Sequence, residues 1–218
     1  MNFYIVVEGI GDKKIYETWI PLVNPSLKKA NLLNEVDQNC FFIISGGGYP
    51  NYLDIINNGI ETVNNLSIFN RYIISVDSED FTKDEKYNEI QNHLQGKTCY
   101  VPIDIVIQHF CIETWLLGNL KIGPRNPKSA KVAEYKSIYD VFSKDPEFLP
   151  PHTEKGFNRS QFALHYLKAC LNDKKKGLSY RKGNPKAACH PTYFNEVKKR
   201  YSIRNQINSF GDFLTAFK

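Results

Sequence analysis

Short, continuous apolar runs recur along the first half of the chain, and four of them predict buried β-strands. They begin at Phe3, Cys40, Tyr72 and Tyr100. The runs are rich in β-branched residues and too short for typical helices, as expected for strands buried on both faces of a parallel sheet. Between them, apolar residues recur at helical spacing. This alternation predicts an α/β fold with a mostly parallel, four-stranded sheet flanked by helices.

The pattern changes beyond residue 120, where helical periodicity replaces the strand-like runs. It covers residues 129–142, 158–171, 191–201 and 205–217. A proline-bearing stretch at residues 145–152 predicts a loop between the first two of these helices. The sequence therefore predicts a domain at residues 1–120 and a mainly helical extension, packed on that domain, at residues 121–218.

The net charge of +5 conceals two regions of opposite sign. Residues 1–120 carry 8 Lys and Arg against 15 Asp and Glu, whereas residues 121–218 carry 20 against 8. A basic surface beside an acidic one favours a polyanionic partner, because the basic residues hold phosphates and a cation screens the carboxylates. The asymmetry indicates nucleic acid, either DNA or RNA, and the alternative is an ordinary solvated surface.

Composition narrows the class of protein further. The 218 residues are 42% hydrophobic, enough for a substantial core, and no apolar run approaches the roughly 18 residues that a membrane span needs. The five cysteines are widely spaced, without the paired spacing of a zinc or redox site. We therefore expect a cytoplasmic protein with free thiols and no membrane partner.

Carboxylates follow two of the predicted strands where each strand ends. Glu8 closes the first strand and Asp12 follows a glycine turn, while Asp77 and Glu79 close the third. Ligands in open α/β sheets bind beyond the carboxyl ends of the strands, so these side chains are expected at one edge. Carboxylate oxygens suit Mg²⁺ or Mn²⁺, and a bound cation would offset their mutual repulsion. The sequence thus predicts a divalent metal site.

Several of these residues also have a structural interpretation. Asp12 and Asp80 can each cap the helix that follows, and either Glu79 or Asp80 could be the metal ligand. Glu8 has no evident structural task. His109 could face the same edge or be an ordinary buried histidine.

The most basic segment lies between residues 168 and 204, with 11 Lys and Arg against 2 Asp and Glu. Its centre is broken by glycines and a proline, so it predicts an irregular loop. We expect Arg181 or Lys182 to lie over the acidic edge, where Lys182 would offset charge developing during phosphoryl transfer. The alternative is a mobile, solvated loop. The predicted nucleic-acid-binding residues are Lys174, Lys175, Lys176, Arg181 and Lys186.

Two motifs resemble a known family. The sequence Val-Val-Glu8-Gly-x-x-Asp12, with a later strand ending in Asp77-x-Glu79, resembles the Toprim domain of type IA topoisomerases, primases and OLD-family nucleases. The segment from Glu113 through Trp115-Leu-Leu resembles small OLD and RloB-like Toprim proteins of phage defence. The resemblance covers about residues 1–120 and implies a Toprim-like, Rossmann-like fold.

The resemblance also implies roles for individual residues. Glu8 would be the catalytic acid or base, and Asp12 its metal-binding companion. Asp77 and Glu79 would stand for the family's DxD pair, although a Glu replaces the second Asp here. Glu113 would be a further metal-site carboxylate, or else a structural Glu on a helix. In a phage-defence system, an ATPase protein is a candidate partner.

The function expected from these features is Mg²⁺-dependent cleavage of nucleic-acid phosphodiesters. Asp77, Glu79 and nearby carboxylates would hold the metal, Glu8 would assist proton transfer, and Lys182 would act on the transition state. The alternative is a non-catalytic Toprim-like sensor or scaffold of a multi-protein defence complex. Topoisomerase-type phosphoryl transfer is less favoured, because the chain is short and offers no convincing strand-passage tyrosine.

Overall fold

A computed structural model describes residues 1–174 and 179–218 of the chain. The strands are β1 (Phe3–Val7), β2 (Lys28–Ala30), β3 (Cys40–Ser45), β4 (Arg71–Asp77) and β5 (Ile103–Gln108). The α-helices are α1 (Ile10–Val23), α2 (Asn51–Leu66), α3 (Lys83–Leu94), α4 (Ile112–Leu117), α5 (Ala130–Ile138), α6 (Arg159–Lys174), α7 (Pro191–Arg204) and α8 (Asn208–Ala216). Short 3-10 helices lie at Leu33–Glu35, Pro146–Phe148 and Thr153–Lys155.

The five strands form one all-parallel sheet in the order β2-β3-β1-β4-β5. This confirms the predicted α/β class, with a parallel sheet flanked by helices as in Rossmann-like folds. The predicted count of four strands was wrong. The missed strand, β2, has the sequence Lys-Lys-Ala and pairs with β3 through Lys28 and Cys40. Three residues without an apolar run carry no strand signal, so pairing with β3 is what makes this segment a strand.

Strand β1 lies at the centre of the sheet and is buried along its whole length. It pairs in parallel with β3 and with β4, placing Val7 beside both Ser45 and Ser75. Because all three strands run in one direction, their carboxyl ends meet at one edge of the sheet. Glu8 and Asp77 emerge at that edge.

The two faces of the sheet are covered by different helices. On one face, Tyr4 and Val6 pack in a cluster with Tyr52 and Ile56 of α2 and with Ile90 of α3. Every second residue of β1 faces this side, because successive side chains of a strand point to opposite faces of the sheet.

On the opposite face, Phe3 contacts Phe217 near the C-terminus, with ring centroids 5.6 Å apart. Tyr16 of α1 packs edge-on against Phe213 and shares a 2.6 Å hydrogen bond with Ser75 of β4. The aromatic C-terminus therefore completes the core of this face.

Contacts between residues divide the chain into two compact units. The first comprises Met1–Val76, Asp84–Ile107 and Asp212–Lys218, and the second comprises Asp77–Lys83 and Gln108–Gly211. The division expected at residue 120 stays a prediction. In the second unit, α5 and α6 pack through the stacked rings of Phe162 and Tyr166 against Tyr135.

The four predicted helices of this half correspond to α5, α6, α7 and α8, with ends that differ by a few residues. In the described parts of the chain, no helix has the length and apolarity needed to cross a membrane.

Candidate metal centre

Glu8 follows β1, and backbone hydrogen bonds on two sides fix its position. Its N–H donates to the carbonyl of Ser75 at 3.0 Å, and its carbonyl accepts from the N–H of Gly48 at 3.0 Å. Gly48 has a φ of +84°, in the left-handed region that glycine tolerates better than other residues. The glycine turn after β3 therefore holds the backbone of Glu8 at the sheet edge.

Asp77 is the last residue of β4 and is only 6% exposed. Beyond it, the N–H of Ser78 donates to the carbonyl of Gln108 at 3.0 Å, and the N–H of Glu79 donates to the carbonyl of Phe110 at 2.8 Å. Glu79 has a φ of +52°, a left-handed conformation that is uncommon for a glutamate. Such conformations cost free energy, persist where surrounding contacts impose them, and cluster at functional sites.

The carboxylates of Glu8, Asp77 and Glu79 converge at this edge. Each can present one oxygen so that all three ligand atoms lie within 4.8 Å of one another. Three negative groups at this separation repel one another unless a cation or a proton intervenes. An all-oxygen donor set of this kind fits the hard cations Mg²⁺ and Mn²⁺, which take carboxylate ligands and retain water. The donor chemistry thus fits the cation expected from the sequence.

Two neighbouring acids lie outside this three-carboxylate group. Asp12 lies in the first turn of α1 and accepts a hydrogen bond from the N–H of Gly9 at 2.7 Å, which caps the start of that helix. Asp80 is exposed. Of the two acids that follow Asp77, the structure therefore brings Glu79 to the group.

Glu113 lies in α4, is fully buried, and also lies outside the group. Its Oε1 accepts a hydrogen bond from the hydroxyl of Tyr180 at 2.9 Å. Its Oε2 is buried and accepts no hydrogen bond of ordinary geometry from the described residues. Burial, together with the charges of Glu113 and Asp77, raises the pKa of the nearby Cys111 thiol. A thiol in this position stays protonated and is not a nucleophile.

Lys182 is the cation associated with these acids. Desolvation acts to lower the pKa of its ammonium group, but the negative charges of Glu113, Asp77 and Glu79 outweigh it and raise that pKa. Lys182 is therefore fully charged at neutral pH. Lys182 is exposed and interacts electrostatically with two of the three grouped carboxylates, Asp77 and Glu79. That Arg181 or Lys182 lies over the acidic edge stays a prediction.

The other predicted nucleic-acid-binding residues are placed differently. Lys174 ends α6, and its ammonium donates to the carbonyl of Lys121 at 2.6 Å. Arg181 and Lys186 are exposed, and the carbonyl of Arg181 accepts from the N–H of Asn184 at 2.8 Å. Lys175 and Lys176 lie outside the described residues.

Two features of the site were not identified from the sequence. The first is the contact between Tyr180 and Glu113, which joins positions 67 residues apart and leaves no local signal. The second is the contact of the half-buried His109 with Ser78: the sequence offered His109 as a residue that could face this edge, but not that its Nδ1 lies 2.8 Å from the Ser78 hydroxyl. Burial, with the charges of Arg159 and Lys83, lowers the pKa of His109 to about 4. The ring is therefore neutral at neutral pH.

Comparison of the chain with protein-family models, with curated proteins and with solved structures found no match.

Proposed function

We propose that this protein is a divalent-metal-dependent nuclease of the Toprim type that cleaves nucleic-acid phosphodiesters in phage defence. The observation that carries the proposal is the convergence of Glu8, Asp77 and Glu79 within 4.8 Å at the carboxyl ends of adjacent parallel strands. Open α/β sheets bind their ligands at this edge. Asp12 lies outside this group, so the proposal takes Glu8, Asp77 and Glu79 as the ligand set.

A cation held by these carboxylates would stabilise negative charge on the scissile phosphate and position the attacking water. In the reaction, an oxygen of water forms a new bond to phosphorus while the bond to the leaving oxygen breaks. Glu8 assists proton transfer, either from the attacking water or to the leaving oxygen. Lys182, whose ammonium pKa is raised by the negative charges of Glu113 and Asp77 against the effect of desolvation, donates to the oxygens on which charge develops.

The test is cleavage of single- and double-stranded DNA and RNA, with Mg²⁺ or Mn²⁺ and with EDTA. We expect metal-dependent cleavage by the wild type, and losses of at least about 100-fold in Glu8→Gln and in Asp77→Asn. Glu61→Gln, an exposed acid on α2, is the matched control and should leave the rate unchanged. Full activity in both site variants would overturn the proposal, as would a wild type that cleaves none of these substrates.

A non-catalytic sensor or scaffold, with an ATPase protein as its partner, is the second candidate. One observation favours it: the carboxylate of Asp12, a metal-binding position in the motif that this chain resembles, caps α1 and lies outside the group. On this alternative the wild type would bind nucleic acid or a protein without cleaving any phosphodiester. The cleavage panel therefore separates the two candidates directly.

A further inference from the structure

Arg159, at the start of α6, lies against the ring of a buried phenylalanine. Its guanidinium carbon is 4.7 Å from the ring centroid of Phe110, and the residue is half-buried. Among the residues that the structure describes, Arg159 forms no ion pair with a carboxylate. A guanidinium stacked on a ring keeps its N–H donors in the plane of the group, where they suit a phosphate or a carboxylate. Arg159 is therefore a cation of fixed orientation whose N–H donors can bind an anionic ligand.

The peptide of Phe110 connects Arg159 with the metal centre. Its carbonyl accepts from the N–H of Glu79 at 2.8 Å and from the hydroxyl of Ser160 at 3.3 Å. Glu79 and the first turn of α6 are therefore anchored to the same carbonyl. The Arg159 guanidinium and the backbone of Glu79 therefore both contact Phe110, one through its ring and the other through its carbonyl.

His109 lies on the same side. Its ring is 4.0 Å from that of Phe110, and its Nδ1 is 2.8 Å from the Ser78 hydroxyl. When Nδ1 accepts from this hydroxyl, Nε2 carries the proton and is a donor. Lys83, the first residue of α3, and Arg159 both act electrostatically on His109. A cation, Arg159, and a neutral donor, His109, therefore lie against the same Phe110 ring.

We infer that Arg159, with His109 against the same Phe110 ring, binds a backbone phosphate of the nucleic acid next to the phosphate that is cleaved. The inference rests on the proposed function for the position of the cleaved phosphate. Its physical basis is that the three carboxylates repel the backbone on either side of the scissile bond, so a flanking phosphate needs a cation of its own. Arg159 supplies a positive charge in a fixed orientation, whereas the exposed lysines of the C-terminal half supply positive charge without a fixed orientation.

The experiment measures binding of a fluorescent single-stranded 20-mer, as DNA and as RNA of one sequence, in EDTA at a series of salt concentrations. Arg159→Gln keeps most of the stem that packs on Phe110 and removes the charge. Loss of one phosphate contact should reduce the slope of log K against log salt by about 0.7. Arg159→Lys should restore most of that slope. The matched control is Lys28→Gln, which removes an exposed cation of β2 in the acidic half of the chain, and its slope should stay close to the wild-type value.

An unchanged slope in Arg159→Gln would overturn the inference, as would a wild type that binds neither oligonucleotide. A variant with an unchanged slope but altered metal affinity would show that Arg159 only balances the charge of the carboxylates, which also contradicts the inference. Because binding is measured without metal, the outcome is separate from that of the cleavage panel. If the wild type never cleaves but Arg159→Gln still reduces the salt slope of binding, the proposed nuclease is refuted and the phosphate contact is retained.

Discussion

The acidic edge of the sheet is held in place differently from residues 179–186, the central part of the basic stretch and called the basic segment from here on. Backbone hydrogen bonds to Ser75 and Gly48 fix Glu8, and a backbone hydrogen bond to Phe110 fixes Glu79. The basic segment is irregular, and the hydrogen bond from the Tyr180 hydroxyl to Glu113 anchors it to α4. The carboxylates therefore depend on the sheet, whereas the position of Lys182 depends on a buried tyrosine two residues away.

Two adjacent residues of the basic segment, Arg181 and Lys182, differ in their electrostatic interactions. Both Arg181 and Lys182 are exposed, but Lys182 interacts electrostatically with Glu113, Asp77 and Glu79. In the proposed reaction, Lys182 acts on the transition state and Arg181 contributes only general attraction to phosphate. Substitutions at these two positions can separate the two roles.

Lys182→Ala should lower the single-turnover rate of cleavage by about 100-fold, because it removes a charged donor from the developing negative charge. Affinity for the same substrate, measured at equilibrium in Ca²⁺ or EDTA, should fall far less. Arg181→Ala is the matched control, and it should weaken binding slightly while leaving the rate of the bound substrate unchanged. Equal effects of the two substitutions on rate would remove the distinction between these residues.

Tyr180→Phe should lower the free energy of unfolding by about 1.5–3 kcal/mol, since it deprives a fully buried carboxylate of its hydrogen bond. Urea denaturation checks this value. Tyr100→Phe, at a tyrosine that is 76% exposed, provides the control and should change stability by less than about 0.5 kcal/mol. If the two variants proved equally stable, Tyr180 would not be the anchor of the basic segment.

Acidification should destabilise the protein through His109. Its pKa in the folded protein is about 4, below the ordinary value of 6.5. Between pH 6.5 and about pH 4, His109 is protonated in the unfolded chain but neutral in the folded protein. Because the unfolded state binds more protons in this range, the free energy of unfolding declines as the pH falls. His109→Gln should show a shallower decline than the wild type in urea titrations between pH 6.5 and 4. Parallel curves would show that His109 does not titrate differently in the two states.

The contrast between the sheet edge and the loop also explains what the sequence could predict. Glu8 and Asp77 were identifiable because each ends a continuous apolar run, and strand direction alone then places both at one edge. Strand β2 was not identifiable, because Lys-Lys-Ala has no apolar pattern and its pairing with β3 is a tertiary interaction.

The partners of the acidic edge were harder to predict for the same reason. The Tyr180–Glu113 bond and the stacking of Arg159 on Phe110 join residues 67 and 49 positions apart, so no local pattern encodes them. Asp12 shows the converse case, because its capping interaction is local and the sequence already offered capping as the alternative to metal binding. The helix begins earlier than expected, so Asp12 lies in its first turn and Gly9 precedes it.

Binding of Mn²⁺ is the sharpest test of whether Glu8, Asp77 and Glu79 form a divalent-metal site. Titration of the protein with Mn²⁺, followed by electron paramagnetic resonance or calorimetry, reports the site without any assumption about substrate. If these residues hold the cation, Glu79→Gln should weaken Mn²⁺ binding by at least about tenfold. Asp80→Asn, which changes the adjacent exposed acid, should bind as the wild type does. Wild-type affinity in Glu79→Gln, or a loss confined to Asp80→Asn, would contradict a metal centre built on these three carboxylates.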